Sequence, residues 1–203
     1  MLQALRSRAT AAYKRMREVI PVTGGFMKLS VGNTMPDFAV SMICKGDISM
    51  KELVGGTPTA VYFLRYAGCT LCQLDMITIH EEYSKLLEAG AKALVVIQSP
   101  AEKLKDADFA YDIICDPSMA LYKELEIAAA PSVEVLIGGS TMEKIERSKA
   151  RGFVHGEYEG EELQLPAVFI VDKDLKVIYS RYAKDLSDIP DMDEVCNVIR
   201  QNA

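Results

Sequence analysis

Val61-Tyr62-Phe63-Leu64-Arg65-Tyr66-Ala67-Gly68-Cys69-Thr70-Leu71-Cys72 is the stretch from which the rest of the chain is read. Its first four residues are apolar and half of them aromatic, which predicts a buried strand. Ala67-Gly68 makes a short turn. Leu71, Leu74, Ile77 and Ile79, then Tyr83, Leu86 and Leu87, recur at the spacing of a helix face. The thiols of Cys69 and Cys72 are therefore expected at a strand-to-helix junction, on the first helical turn.

That placement has chemical consequences. A helix start offers unpaired backbone N–H groups and the positive end of the helix dipole, and both stabilise an anion. A cysteine there loses its proton more readily, and the thiolate is the reactive form. Two intervening residues let the second thiol reach the first, so the pair can cycle between dithiol and disulfide. Cys-x-x-Cys beside a βαβ pattern reads as a thioredoxin-like redox motif. Cys69 comes first and has the better access to the free N–H groups, so it is the expected nucleophile and Cys72 the expected resolving thiol. Arg65 is placed to lower the thiol pKa or to hold a substrate; otherwise it is a solvated charge at a strand end.

Two plainer readings compete. Cys-x-x-Cys is also half of many zinc sites, but Cys44, Cys115 and Cys196 are isolated and His80 and His155 stand alone, so no second half and no metal is expected. Free cysteines are also common apolar fillers. That is the reading for Cys115 and Cys196, and for Cys44 unless its turn exposes it. His80 falls too far along the helix for acid–base help. Five cysteines without a disulfide framework fit a reducing, cytoplasmic compartment.

The net charge of −6 over 203 residues argues against a general nucleic-acid binder. No apolar run reaches membrane-spanning length. The charge is unevenly spread. Arg6, Arg8, Lys14, Arg15 and Arg17 face only Glu18, so residues 1–20 carry +4 and the remainder −10. Leu2, Leu5, Tyr13, Met16 and Ile20 add a loose amphipathic stripe. The segment 1–28 is read as a helical extension that packs on the domain or on a partner subunit. A transit peptide or a membrane-surface helix has the same signature. Pro21 and Gly24-Gly25 end it.

Beyond it, Asn33 to Val40 enters a hairpin, with Lys45-Gly46-Asp47 as the turn and Ile48 to Leu53 as the strand that leaves it. Leu94-Val95-Val96-Ile97 predicts a second buried strand, parallel to the first because a helix-length crossover separates them. A short polar helix over 101–109, a brief strand at 113–115 and a helix over 118–127 follow. Residues 128–164 carry weak signals: a short helix from Ser140 to Lys149, and a solvated acidic loop bearing Glu157, Glu159, Glu161 and Glu162. Gln164 to Asp172 and Leu175 to Ser180 predict an antiparallel hairpin about Lys173-Asp174. Met192, Val195, Cys196 and Ile199 mark a last amphipathic helix.

Four stretches together resemble the alkyl hydroperoxide reductase and thiol-specific antioxidant (AhpC/TSA) superfamily, the peroxiredoxin branch of the thioredoxin fold. They are Val31 to Phe38, Gly68-Cys69-Thr70, Leu165 to Asp172, and Asp185-Leu186 to Glu194. The resemblance covers residues 29–203 as one domain. It implies an α/β, three-layer thioredoxin-like fold, with a central mixed sheet flanked by helices. Arg65-Tyr66-Ala67-Gly68-Cys69-Thr70-Leu71-Cys72 is similar to the Arg-x-x-Gly-Cys-x-x-Cys of the peroxiredoxin-like subgroup. In the Pro-x-x-x-Thr-x-x-Cys motif of typical peroxiredoxins, the Pro and Thr places fall on Tyr62 and Tyr66 if Cys69 holds the cysteine place, and on Arg65 and Cys69 if Cys72 holds it, so neither register reproduces the motif. Pro166 resembles the cis-proline that faces the cysteines in thioredoxin folds, where cis geometry would expose the Leu165 backbone to a substrate. Gly68, Thr70, Leu165 and Pro166 are accordingly the substrate-binding residues the resemblance implies, beside catalytic Cys69, Cys72 and Arg65. The implied activity is a thiol-dependent antioxidant oxidoreductase without a cofactor. Its substrate would be a peroxide or a protein disulfide, its reductant a thiol such as thioredoxin or glutathione, and its assembly a possible homodimer. A non-catalytic redox sensor or binding module of the same fold is the alternative.

Overall fold

The computed structural model describes residues 16–19, 27–42, 46–104 and 106–202. Their strands are β1 (Met16–Val19), β2 (Ala39–Met42), β3 (Gly46–Ser49), β4 (Thr59–Phe63), β5 (Lys92–Ile97), β6 (Asp112–Cys115), β7 (Ala167–Val171) and β8 (Val177–Tyr182). The helices are α1 (Met50–Val54), α2 (Thr70–Glu81), α3 (Tyr83–Glu88), α4 (Ala120–Glu124), α5 (Val133–Leu136), α6 (Thr141–Ala150) and α7 (Met192–Gln201), with a 3-10 turn at Ala101–Leu104. One mixed sheet runs β3-β2-β1-β6-β5-β4-β7-β8. The expected crossover makes β4 and β5 parallel, and β7 returns antiparallel to β4.

Every side chain of β4 is buried, because the sheet is covered on both faces. Ala60, Tyr62, Val95 and Ile97 join one apolar layer with Leu71, Met76 and Ile79 of α2 and Val195, Cys196 and Ile199 of α7. Val61, Phe63, Leu94 and Val96 join the opposite layer with Met50, Leu53 and Val54 of α1 and Leu121 and Tyr122 of α4. Alternation along β4 and β5 thus sends neighbours to different layers. The result is the expected three-layer α/β fold. Cys115 and Cys196 lie inside these layers as fillers. Cys44 lies outside the described residues.

Several local expectations are corrected. Gly46 and Asp47 are not turn residues: they pair with Met42 and Ser41 in the β2–β3 ladder. Ile48 to Leu53 is not a strand throughout, since α1 begins at Met50. A capping box drives the change: the Ser49 side chain accepts from the Glu52 N–H, and the Glu52 carboxylate accepts from the Ser49 N–H. The helix after the cysteines breaks at Glu82 into α2 and α3. Of the helical extension proposed for 1–28, residues 1–15 and 20–26 lie outside the described residues. Met16–Val19 is a strand, parallel to β6 and antiparallel to β2.

Candidate active site

The end of β4 is pinned before the chain reaches the cysteines. The Leu64 N–H donates to the Val96 carbonyl at 2.9 Å, and the Gln98 N–H donates to the Arg65 carbonyl at 2.7 Å. The Tyr122 hydroxyl, reaching up from α4, bonds the carbonyls of Leu64 and Val96. The turn is held in the same way. The Ala67 N–H donates to Ser99 Oγ at 2.7 Å, and Gln73 Nε2 donates to the Ala67 carbonyl at 2.8 Å.

Cys69 then takes the N-cap position of α2, with extended φ −76° and ψ 118°. Its sulfur does what a serine or aspartate oxygen does at other helix starts: it accepts the Cys72 N–H, at 3.4 Å. Arg65 Nη1 approaches the same sulfur at 3.8 Å. The Cys69 thiol is thereby lowered to about 6, through a hydrogen bond from the Cys72 thiol first, against burial, and then through the Arg65 charge and the backbone N–H groups of Cys72 and Leu71. The Cys72 thiol is pushed the other way, well above its ordinary value, by burial and by its bond to Cys69. One thiol is prepared as an anion and the other is kept protonated beside it. Both are free and buried. Asp75, a turn beyond Cys72 on α2, is paired with Lys144 of α6 at 2.7 Å.

The region weakest in sequence signal builds the roof. After α6 the chain crosses back over the cysteine turn as a strap, residues 153–162. The Gly156 N–H donates to the Gly68 carbonyl at 2.8 Å. A Cβ on Gly68 would sit 2.2 Å from the Glu157 carbonyl oxygen, and one on Gly156 would sit 3.1 Å from the Gly68 Cα. The acidic residues are not simply solvated. Glu159 accepts from Ser99 Oγ, and Glu157 pairs with Lys103 at 2.5 Å. The Glu161 N–H donates to Gln98 Oε1 at 2.7 Å. His155 and Tyr158 bring their rings against Tyr66. Beneath this strap Cys69 is 2% exposed and Arg65 7%.

Of the residues expected at the site, Cys69, Cys72, Arg65, Gly68 and Thr70 are brought together. Gly68 serves the strap crossing, and the Thr70 carbonyl accepts from Ser148 Oγ of α6 at 3.1 Å. Leu165 packs at the edge of the layer that holds the cysteines. The proposed cis bond is corrected: among the described residues no peptide is cis, so Leu165–Pro166 is trans. The Leu165 backbone is also occupied. Its N–H donates to the Ala128 carbonyl at 3.3 Å and its carbonyl accepts from Gln164 Nε2 at 3.0 Å. The substrate-docking role of Leu165 and Pro166 falls with it. His80 is a helix residue whose Nδ1 accepts the Ala110 N–H at 3.0 Å. From sequence Tyr66 stood only at the Thr place of the family motif, His155 as a lone histidine and Glu159 in a solvated loop, and Ser99 carried no signal; nothing in the sequence brings the four together. Among the described residues no three of His, Cys, Asp or Glu converge as a metal would require, and no helix is long and apolar enough to cross a membrane.

A substitution at the crossing follows from these contacts. Gly68→Ala is expected to push the strap away and to destabilise the fold by about 1–3 kcal/mol, the usual cost of overpacking. Alkylation of Cys69 should quicken as its cover lifts; an unchanged alkylation rate and unfolding midpoint would mean that the strap does not depend on this contact.

The AhpC/TSA family profile matches residues 31–180. No curated protein sequence matches the chain. Among solved structures, the peroxidoxin BcpB of Mycobacterium tuberculosis is similar, with a TM-score of 0.60 and 16% identity, over 87% of this chain and 99% of that one. A cysteine-to-serine mutant of peroxiredoxin 6 from Arenicola marina gives 0.59 and 16%, over 84% and 72%. The reduced 2-Cys peroxiredoxin of Plasmodium vivax gives 0.54 and 13%, over 84% and 80%.

Proposed function

The chain belongs to the AhpC/TSA family of thiol peroxidases, and from that premise we propose that Cys69 attacks a small hydroperoxide and Cys72 resolves the product. The observation that carries this reading is the setting of the two thiols: Cys69 Sγ caps α2, accepting the Cys72 N–H at 3.4 Å with Arg65 Nη1 at 3.8 Å, which favours its thiolate, while burial pushes the Cys72 thiol up. The Cys69 thiolate attacks the terminal peroxide oxygen. The S–O bond forms, the O–O bond breaks, and Cys69 becomes a sulfenic acid while the peroxide is reduced to an alcohol or water. Cys72 then gives up its proton and attacks the Cys69 sulfur, releasing water and closing a Cys69–Cys72 disulfide. A thiol reductant of the thioredoxin or glutathione class returns the two electrons by exchange.

Burial favours a peroxide over a protein disulfide. A thiol 2% exposed beneath a hydrogen-bonded strap admits a few-atom substrate with less rearrangement than a folded partner. Arg65 Nη1 lies 3.8 Å from the Cys69 sulfur, so the guanidinium charge would stand beside the oxygens of a peroxide approaching that thiolate. Stopped-flow mixing of reduced protein with hydrogen peroxide, followed by intact mass, tests the reading. Fast consumption with loss of two hydrogens from the protein is expected. Slow or absent consumption with the dithiol intact would move the function to sensing or to disulfide exchange.

The pH dependence has a definite sign. The thiolate is present above the Cys69 pKa and lost below it, so the rate should be level at neutral pH and fall tenfold per unit below about 6. Arg65→Met removes a charge that lowers this pKa and should move the inflection upward by about one unit. Ultraviolet thiolate absorbance reads the same titration without peroxide. An inflection that stays in place would remove Arg65 from thiol activation.

A further inference from the structure

We propose that Tyr66 is the general acid of peroxide reduction, giving its hydroxyl proton to the departing oxygen, and that His155 on the strap returns a proton to it from solvent. The proposal rests on the thiol-peroxidase reading of Cys69 and extends it to the fate of the proton.

The step needs such a donor. When Cys69 sulfur takes the terminal OH of a hydroperoxide, the other oxygen leaves as an alkoxide or hydroxide. The conjugate acid of hydroxide has a pKa of about 15.7, so the anion is a poor leaving group unless protonated as it forms. Arg65 stabilises negative charge but does not release a proton. The Cys72 thiol is engaged with Cys69 and must keep its proton until resolution.

Tyr66 is placed for the task. Arg65 divides its two terminal nitrogens between the nucleophile and this phenol: Nη1 lies 3.8 Å from Cys69 Sγ, and Nη2 donates to the Tyr66 hydroxyl at 3.2 Å. A peroxide held by that guanidinium therefore has the thiolate on one side and the phenol on the other. The Tyr66 ring is fully buried, with the Arg65 guanidinium 5.0 Å from its centroid and the His155 ring edge-on at 6.0 Å. Burial pushes its phenol up to about 12. It keeps its proton at neutral pH and is still a far stronger acid than water or an alcohol.

The recharging route is also present. His155 Nε2 lies 3.4 Å from the Tyr66 hydroxyl. Its Nδ1 faces the Gly156 carbonyl at 2.8 Å, so that nitrogen carries a hydrogen. Nε2 is then a lone-pair acceptor in the neutral ring and a donor in the imidazolium. His155 is exposed, so it exchanges protons with water while Tyr66 cannot. The balance is complete. The Cys69 thiolate, hydroperoxide and Tyr66 phenol give sulfenic acid, alcohol and phenolate; His155, with a proton taken from solvent, then gives its Nε2–H to the phenolate and returns to the neutral ring.

A general acid matters only when the leaving group is poor, and this gives the test. Wild type, Tyr66→Phe and His155→Phe are compared by stopped flow against tert-butyl hydroperoxide, which expels an alkoxide, and peracetic acid, which expels acetate and needs no proton. Alkylation by iodoacetamide reports thiolate reactivity alone. Tyr66→Phe should slow the alkyl hydroperoxide reaction by about 100-fold, with the peracid and alkylation rates retained. His155→Phe, an exposed position that keeps a ring against Tyr66, should show the same selective loss by a smaller factor, and it decides the matter should Tyr66→Phe fail to fold. Equal losses with both oxidants, or none with either, overturn the proton-donor role. A wild-type protein that alkylates readily but consumes neither oxidant overturns the peroxidase reading instead, and this proposal with it.

Discussion

Cys69→Ser is expected to consume no hydroperoxide above background, a loss on the order of 10⁴-fold or more, the scale seen when a nucleophile is removed. Cys72→Ser should behave differently. It should reduce one equivalent of peroxide and stop, because the sulfenic acid on Cys69 has no neighbour to close on. A sulfenic-acid probe should then label Cys69, and intact mass should show one added oxygen. The serine hydroxyl can still donate to Cys69, so the thiolate should persist at neutral pH. Cys72→Ala loses the hydrogen bond that contributes most to lowering Cys69, so its pH inflection should rise while its single-turnover chemistry remains. The two Cys72 variants therefore separate resolution from activation. One equivalent of peroxide reduced by Cys69→Ser and none by Cys72→Ser would reverse the assignment.

The parts of this site written in short-range pattern were legible, and the parts written in tertiary crossing were not. The apolar run of β4 and the helical repeat after Cys72 state burial and period directly, so the strand-to-helix junction could be placed from sequence. The β7–β8 hairpin and the four buried residues of α7 were legible for the same reason. Ser49-x-x-Glu52 held a local signal that the hydrophobic pattern of Ile48 to Leu53 outweighed; the capping box decided the backbone instead. The strap is another matter. Its acidic, glycine-containing sequence is indistinguishable from a solvated loop until Gly68 and Gly156 are seen to pass within contact, and until Ser99 and Lys103, more than fifty residues away, supply its partners. The role of Tyr66 was hidden too, although the resemblance set it at the Thr place of the family motif. An aromatic at the end of a buried strand reads as core, and only Arg65 and His155 together give its hydroxyl a chemical setting.

The helix that carries the cysteines depends on one buried ion pair, and breaking it is expected to be the most destabilising single substitution away from the thiols. Lys144 of α6 reaches inward, 6% exposed, donating to Asp75 of α2 at 2.7 Å and to the Leu186 carbonyl at 2.7 Å. Lys144→Met keeps the length of the stem but leaves a buried carboxylate without its lysine and a carbonyl without its donor. Removing one partner of a buried pair costs about 3–5 kcal/mol, a large share of the 5–15 kcal/mol that holds a typical domain together, by order of magnitude. The midpoint of urea unfolding should fall accordingly with little change in slope. The double variant Lys144→Met/Asp75→Leu should recover most of the loss, because replacing both charges with apolar groups is often neutral or better. A midpoint unmoved by Lys144→Met would mean that water or a rearranged Arg147 satisfies Asp75. A double variant as unstable as the single one would put the cost in the Leu186 carbonyl and in the packing of α6 on α2. Asp75 lies three residues from Cys72 on one helix, so the single variant also loosens the turn that holds Cys72 beside Cys69. Disulfide closure should slow in it and the pH inflection of Cys69 should rise with it, since the Cys69 cap and the closure both need the first turn of α2 in register.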